Sequence, residues 1–346
     1  MLIDNYSQNH FMKKFYLIIF LAIISAISYF SYSLNDESSK TINIYSARKE
    51  QFINELLQNF SKDTGIKYKL LIDSAPKLLA KLESEGDKSP ADILITSDVI
   101  SVLKAQNKNL IKPIKIVNFD LINENLYDQS YFWYGLSLRK RLIFYNKEKI
   151  NSSLIKNYED LGSAKFGKTL LIRSSNNYYN QALVSQLLYR NGPERTKIIL
   201  KNLVANLARD PSGGDSDQLK ALIRGEGDIA VANYYYFARL QNSTEAIYKD
   251  NIQKIATLYP NQDFSGVNIN LSTISMLKTS NKNLAAQKLI EYLLSEKAQK
   301  FFINQNYEES VLKSFNLLNY RKDYQALKNY NNYPELGKLI EESGWK

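Results

Sequence analysis

Three consecutive tyrosines, Tyr234, Tyr235 and Tyr236, follow a short apolar run that is typical of a buried strand. In α/β proteins, ligand sites concentrate at such strand ends. A phenolate oxygen is a hard anionic donor, and a chain with no cysteine and one histidine has few other side chains for a hard, highly charged cation. The run therefore indicates a candidate ferric-ion site, although most of the 25 tyrosines must be structural.

The backbone around these tyrosines must be irregular if the site exists. Neighbouring side chains on a regular strand point to opposite faces of the sheet. Adjacent tyrosines of the run can therefore converge on one ion only if the strand ends or bends there, and we predict that it does.

The elements that position this site alternate between strand and helix. Strands are predicted at residues 42–45, 68–72 and 91–96 with a helix between each pair, which indicates a parallel sheet covered by helices. A second alternating unit begins near Trp133. The last part has a strand at Ile269–Leu277, two helices of which the second spans Glu296–Asn304, and a tail of short helices.

The absence of a Pro/Gly/Ser-rich tether between the two units predicts lobes joined by strands that cross between them. The expected fold class is a two-lobed α/β fold of the periplasmic-binding-protein type, each lobe a mainly parallel sheet flanked by helices. Residues 41–132 and about 265–308 form the first lobe in this prediction, and residues 133–264 and about 309–346 the second. A ligand is expected in the cleft between the lobes.

The N-terminus has the layout of a secretory signal, with Lys13 and Lys14 before an apolar stretch over residues 15–30. Met12 is an alternative start. Residues 1–33 are therefore predicted to be a signal peptide, which implies a periplasmic location. The alternative is an uncleaved membrane anchor, because the apolar run continues to Tyr32 and no clean cleavage site is visible.

Composition argues against nucleic-acid binding and against several classes of catalysis. The net charge of +10 is scattered and interleaved with acidic residues, so it indicates a solvated surface. Without cysteine, and with its only histidine at His10, the chain lacks the residues for Cys/His or Ser-His-Asp chemistry. Asp92, Asp215 and Asp217 fit a turn and a helix start better than an acid/base pair. We expect no enzymatic activity.

Several motifs occur in a characteristic order between Ile42 and Trp345. They include Tyr45-Ser46-Ala47-Arg48, Trp133-Tyr134-Gly135-Leu136-Ser137, Ile172-Arg173-Ser174-Ser175, Gly225-Glu226-Gly227-Asp228 with the tyrosine run, and Glu341-Glu342-Ser343-Gly344-Trp345. Taken together, they resemble the ferric-ion-binding, substrate-binding proteins of bacterial iron ABC transporters.

This resemblance implies iron ligands at Tyr145, Tyr235 and Tyr236, while Tyr234 falls at a variable position. This sequence differs from one branch of the family, because it has Lys49 and Glu50 at the positions where some members carry a His-Tyr ligand pair. In another branch, an arginine and a helix start hold a synergistic carbonate or similar small anion.

In this chain the matching arginine is Arg48, whose guanidinium suits an oxyanion. Glu50 is a weaker candidate for a further ligand. The plainer alternatives are that Arg48 pairs with an acid and that Glu50 complements a helix dipole.

The function implied by the resemblance is capture of Fe(III) by an exported, monomeric protein and its delivery to an inner-membrane ABC permease. Two alternatives stay open at this stage. The same fold could bind a different small anion or organic solute, or the chain could be a membrane-anchored enzyme or sensor domain.

Overall fold

The computed structural model describes residues 41–315, 319–329 and 335–346, so the predicted signal or anchor over residues 1–33 lies outside the described residues. Within them the chain forms strands and helices in alternation. The strands are β1 (Thr41–Ser46), β2 (Lys67–Ile72), β3 (Ile93–Thr96), β4 (Ile111–Lys112), β5 (Tyr134–Asn146), β6 (Leu170–Leu171), β7 (Ile229–Asn233), β8 (Ile255–Leu258) and β9 (Ile269–Leu277).

The helices follow the predicted order, and the longest is interrupted at Gly192, whose φ of 71° is not helical. They are α1 (Asn54–Thr64), α2 (Ala75–Glu85), α3 (Val99–Asn107), α4 (Tyr178–Ala205), α5 (Asp215–Arg224), α6 (Tyr234–Gln241), α7 (Ala246–Asn251), α8 (Asn283–Leu293), α9 (Glu296–Asn304), α10 (Tyr324–Asn329) and α11 (Leu336–Ser343).

The strands form one path in the order β2-β1-β3-β9-β5-β7-β6, with β4 on β9 and β8 on β5. Parallel pairing is confined to β2-β1-β3 at one end and β7-β6 at the other. The long strands β5 and β9 pair antiparallel with each other and with both ends, so the sheet is more mixed than the sequence pattern suggests. These two strands join the two halves of the molecule.

The apolar core is divided in the same way. One cluster surrounds β1, β3, β9 and the beginning of β5, and we call this half the first lobe. The second lobe has two clusters, which lie on opposite faces of its sheet. Alternate residues of β7 show this, since Ile229 and Val231 pack in one cluster and Ala230 and Ala232 pack in the other. Along β5, Leu138 packs in the cluster of the first lobe and Leu142 packs in a cluster of the second lobe. The exact lobe boundaries stay a prediction.

Among the described residues, we find no helix with the length and apolar character that a bilayer span requires.

Candidate functional site

A pocket of about 390 Å³ lies where the two lobes face each other. The first lobe contributes the loop that follows β1, including Arg48, Lys49 and Phe52. The second lobe contributes the N-terminal turns of α4 and α6. The pocket therefore occupies the interlobe position expected for a ligand site.

The tyrosine run sits at a change of secondary structure, as predicted. Strand β7 ends at Asn233 and α6 begins at Tyr234, so Tyr235 and Tyr236 occupy the first helical turn and both line the pocket. Asp215 fixes this junction: its Oδ2 accepts hydrogen bonds from the backbone N and the Nδ2 of Asn233, at 2.8 and 3.0 Å. The prediction of an irregular backbone is confirmed.

Tyr234 points elsewhere. The Nζ of Lys140 lies 4.4 Å from the centre of its ring, and the ring packs against an apolar cluster of the second lobe. Tyr234 is not part of the pocket wall.

A second pair of tyrosines, which the sequence analysis did not single out, faces the first. Tyr178 and Tyr179 begin α4, where the side chain of Asn177 accepts a hydrogen bond from the backbone N of Tyr179 at 3.0 Å. The hydroxyl oxygens of Tyr179 and Tyr235 are 2.8 Å apart. The available sequence signal was the same as for the other pair, namely two tyrosines at a helix start after a strand end.

Tyr145, in contrast, is not brought to the pocket. On β5 it pairs with Ile229, whereas Arg141 pairs with Asn233 at the end of β7 next to the site. Four residues of strand span about 13 Å. The side chain packs instead against a core cluster of the second lobe. Tyr145 is therefore not among the residues that line the pocket, whereas Tyr179 lies beside Tyr235 there.

Burial raises the pKa of the Tyr179 and Tyr235 hydroxyls well above the usual value for tyrosine, and raises that of Tyr236 to a smaller extent. Negative charge on the neighbouring phenols raises the pKa of each buried phenol further, whereas the guanidinium of Arg139 lowers the pKa of Tyr179 and Tyr235. Without a cation these phenols are therefore protonated at neutral pH. A bound cation would have to displace their protons.

Arg48 lines the pocket but its guanidinium is occupied by protein partners. Nη2 donates to Glu308 Oε2 at 2.7 Å, and Nη1 donates to the hydroxyls of Ser137 and Ser272 at 3.1 and 2.5 Å. Nε donates to the carbonyl of Phe52 at 3.4 Å. These contacts match the plainer alternative, in which Arg48 pairs with an acid.

Glu50 is exposed at the start of a 3-10 turn and does not contribute to the pocket wall, although its neighbours Lys49 and Gln51 do.

Three other arginines face the pocket, and two of them carry donors without a partner. The buried Nε of Arg139 and that of Arg173 form no hydrogen bond with the described residues. Arg139 donates through Nη1 to the hydroxyl of Tyr179 at 3.3 Å. The guanidinium of Arg239 lies over the rings of Phe52 and Tyr235, at 4.5 and 5.0 Å. The wall thus combines phenols with cations, a composition that suits an anion bound beside a metal.

Elsewhere in the described part of the chain, His, Cys, Asp and Glu residues do not gather in groups of three or more that could hold a metal ion.

Comparison with known proteins identifies a family and several relatives whose names refer to iron. Residues 88–331 match the model of a family described as bacterial extracellular solute-binding protein. The chain is 35% identical to iron uptake protein A1 of Synechocystis sp. over 314 residues, which covers 88% of this chain and 87% of the relative.

Two solved structures share the fold at similar identity. One is a Trichodesmium protein in complex with iron and citrate, with a TM-score of 0.82 and 34% identity over 88% of this chain and 100% of the other. The other is the ferric binding protein from Campylobacter jejuni, with a TM-score of 0.80 and 33% identity over 88% and 100%.

Proposed function

Because this chain belongs to the family of bacterial extracellular solute-binding proteins, we propose that it captures Fe(III) between its lobes through Tyr179, Tyr235 and Tyr236. It then delivers the ion to the inner-membrane permease of an iron ABC importer. The protein acts as a periplasmic monomer in this proposal. It is a transport protein and not an enzyme.

One observation carries the ligand assignment: the 2.8 Å distance between the hydroxyl oxygens of Tyr179 and Tyr235. Tyr236 stands beside them, with its ring centre 4.2 Å from that of Tyr235. Three phenolates together would neutralise an ion of charge 3+. Two helix N-termini, those of α4 and α6, add positive potential that favours the deprotonated phenols.

The coordination shell is completed by an anion on the cationic part of the wall. Lys49, Arg139, Arg173 and Arg239 line the pocket, and three phenolates already balance the ion. An anion with several carboxylates would satisfy the unpartnered Nε atoms of Arg139 and Arg173. The iron and citrate in the Trichodesmium protein support an anion of this kind over carbonate.

The iron assignment predicts opposite results for two Tyr→Phe substitutions. Tyr179→Phe should weaken Fe(III) binding by about 10- to 100-fold or more, since even residues behind a metal ligand contribute on that scale. Tyr145→Phe, outside the pocket, should bind like the wild type. Competition with a ferric chelator, followed by the tyrosinate-to-iron charge-transfer band, measures both. Equal effects of the two substitutions would contradict the ligand set.

The anion assignment predicts that Arg173→Gln binds ferric citrate about 10- to 100-fold more weakly, the range for hydrogen bonds to charged groups. Arg224→Gln is the matched control, because Arg224 pairs with Glu226 on the surface and is absent from the pocket wall. Isothermal titration with ferric citrate, and with citrate alone, makes the comparison. If Arg173→Gln lost citrate affinity while the tyrosine variants kept wild-type behaviour, the solute would be an organic anion and not iron.

A further inference from the structure

The proposed site has three phenol ligands, which fill half of an octahedral shell. The first-lobe side of the wall contributes Gln51, Ser97 and Glu308 as oxygen-bearing side chains, but the carboxylate of Glu308 is paired with Arg48. The loop of this lobe presents Lys49, and Glu50 lies outside the pocket wall. Arg48 is occupied by Glu308. We therefore looked for a further anionic ligand among the phenols of the second lobe.

We propose that Tyr178 is a fourth phenolate ligand, so that two facing pairs of tyrosines, Tyr178–Tyr179 and Tyr235–Tyr236, coordinate the ion. This inference rests on the proposed function, because it adds a ligand to the same site. With Tyr178 included, all four phenolates come from the second lobe.

The two pairs have equivalent positions in the fold. Strands β6 and β7 are parallel neighbours, with Leu171 beside Ala230, so the connections that follow them emerge at the same edge of the sheet. Each pair of tyrosines then lies in the first turn of the next helix. The ring centres are 4.2 Å apart within both pairs.

Tyr178 is placed to use its hydroxyl in the pocket. It lines the wall and is only partly buried. Its ring centre lies 4.2 Å from that of Tyr179, whose hydroxyl oxygen is 2.8 Å from that of Tyr235. The two pairs thus meet through the hydroxyls of Tyr179 and Tyr235, and Tyr178 stands beside that contact. Adjacent residues at a helix start can point to one ion because they are separated by about 100° and not by the 180° of a strand.

The competing role for Tyr178 is that of an aromatic support, since its ring packs edge-on against Tyr179. Tyr178→Phe separates the two roles, because phenylalanine keeps the ring and removes only the oxygen. Tyr234→Phe is the matched control: it removes a phenol from the neighbouring helix start, and Tyr234 does not line the pocket.

The experiment compares iron-loaded wild type, Tyr178→Phe, Tyr234→Phe and Tyr179→Phe by visible absorbance per bound iron and by the rate of iron release to a competing chelator. In Tyr178→Phe we expect a loss of about a quarter of the band, one phenolate in four. The band should also move to longer wavelength, because iron with fewer phenolates accepts an electron more readily. Release should be at least about tenfold faster.

Tyr234→Phe should match the wild type, and the melting temperature of iron-free Tyr178→Phe should stay at the wild-type value. A Tyr178→Phe band with the wild-type position and intensity, alongside an altered Tyr179→Phe band, would overturn this inference and leave the proposed function intact. If Tyr179→Phe were also unchanged, the proposed function itself would fail.

Discussion

The Tyr235→Phe, Tyr236→Phe double variant is expected to lose iron to a competing chelator and to show no tyrosinate-to-iron charge-transfer band afterwards. Each substitution removes an anionic oxygen from a 3+ ion in a largely buried site. Since residues behind a metal ligand already contribute 10- to 100-fold, two ligands together should lower the Fe(III) affinity by about a thousandfold or more. Chelator competition with visible absorbance as the readout measures this loss.

Stability provides the control for that experiment. In the iron-free protein the two substitutions remove one hydrogen bond between neutral groups, Tyr179 to Tyr235, and keep both rings. The free energy of unfolding should therefore fall by only about 1 kcal/mol. A band that survived in a folded double variant would rule out both residues as ligands.

The same phenols should make iron binding depend on pH. Burial raises the pKa of Tyr179 and Tyr235 well above the usual value, so each is protonated in the iron-free protein at neutral pH. Binding then releases protons, and lowering the pH opposes binding by mass action. The affinity should fall as the solution becomes more acidic.

Much of the architecture was accessible from local sequence patterns. Strand Ile269–Leu277 and helix Glu296–Asn304 have the predicted bounds. The break at Asn233 was predicted from the two adjacent tyrosines that the resemblance implies as ligands, because these cannot face one ion from a regular strand. Such predictions succeed because the information lies within a few neighbouring residues.

Local patterns could not show which further tyrosine lines the pocket beside Tyr235 and Tyr236. Tyr145 and Tyr179 each follow a plausible string of residues, and what separates them is the register of β5 against β7. That register places Arg141, and not Tyr145, beside the end of β7. It depends on the packing of two apolar faces over many residues, which no short motif contains.

The partners of Arg48 could not be predicted from the sequence either, because they also depend on packing between distant parts of the chain. Its guanidinium contacts Ser137, Ser272 and Glu308, which are 89, 224 and 260 residues away along the chain. A free arginine after β1 would suit an anion, whereas a guanidinium enclosed by these groups contributes to the packing between the crossing strands and the first lobe. These two roles of Arg48 predict different effects of its substitution on the stability of the protein and on anion binding.

Arg48→Met should lower the free energy of unfolding by about 3–5 kcal/mol, because it leaves the carboxylate of Glu308 buried without its partner. Arg48→Met combined with Glu308→Met should recover most of this loss, since the lone charge is then gone as well. Urea denaturation of the three proteins, without iron or anion, measures both effects.

An arginine whose role was to hold the anion would give the opposite pattern. Its removal would leave the iron-free stability near the wild-type value and would abolish the effect of citrate on iron binding. The structure favours the first pattern, because the guanidinium of Arg48 already donates to four protein oxygens while Arg139 and Arg173 keep buried donors without partners. The stability of Arg48→Met therefore tests which arginines are available to the anion.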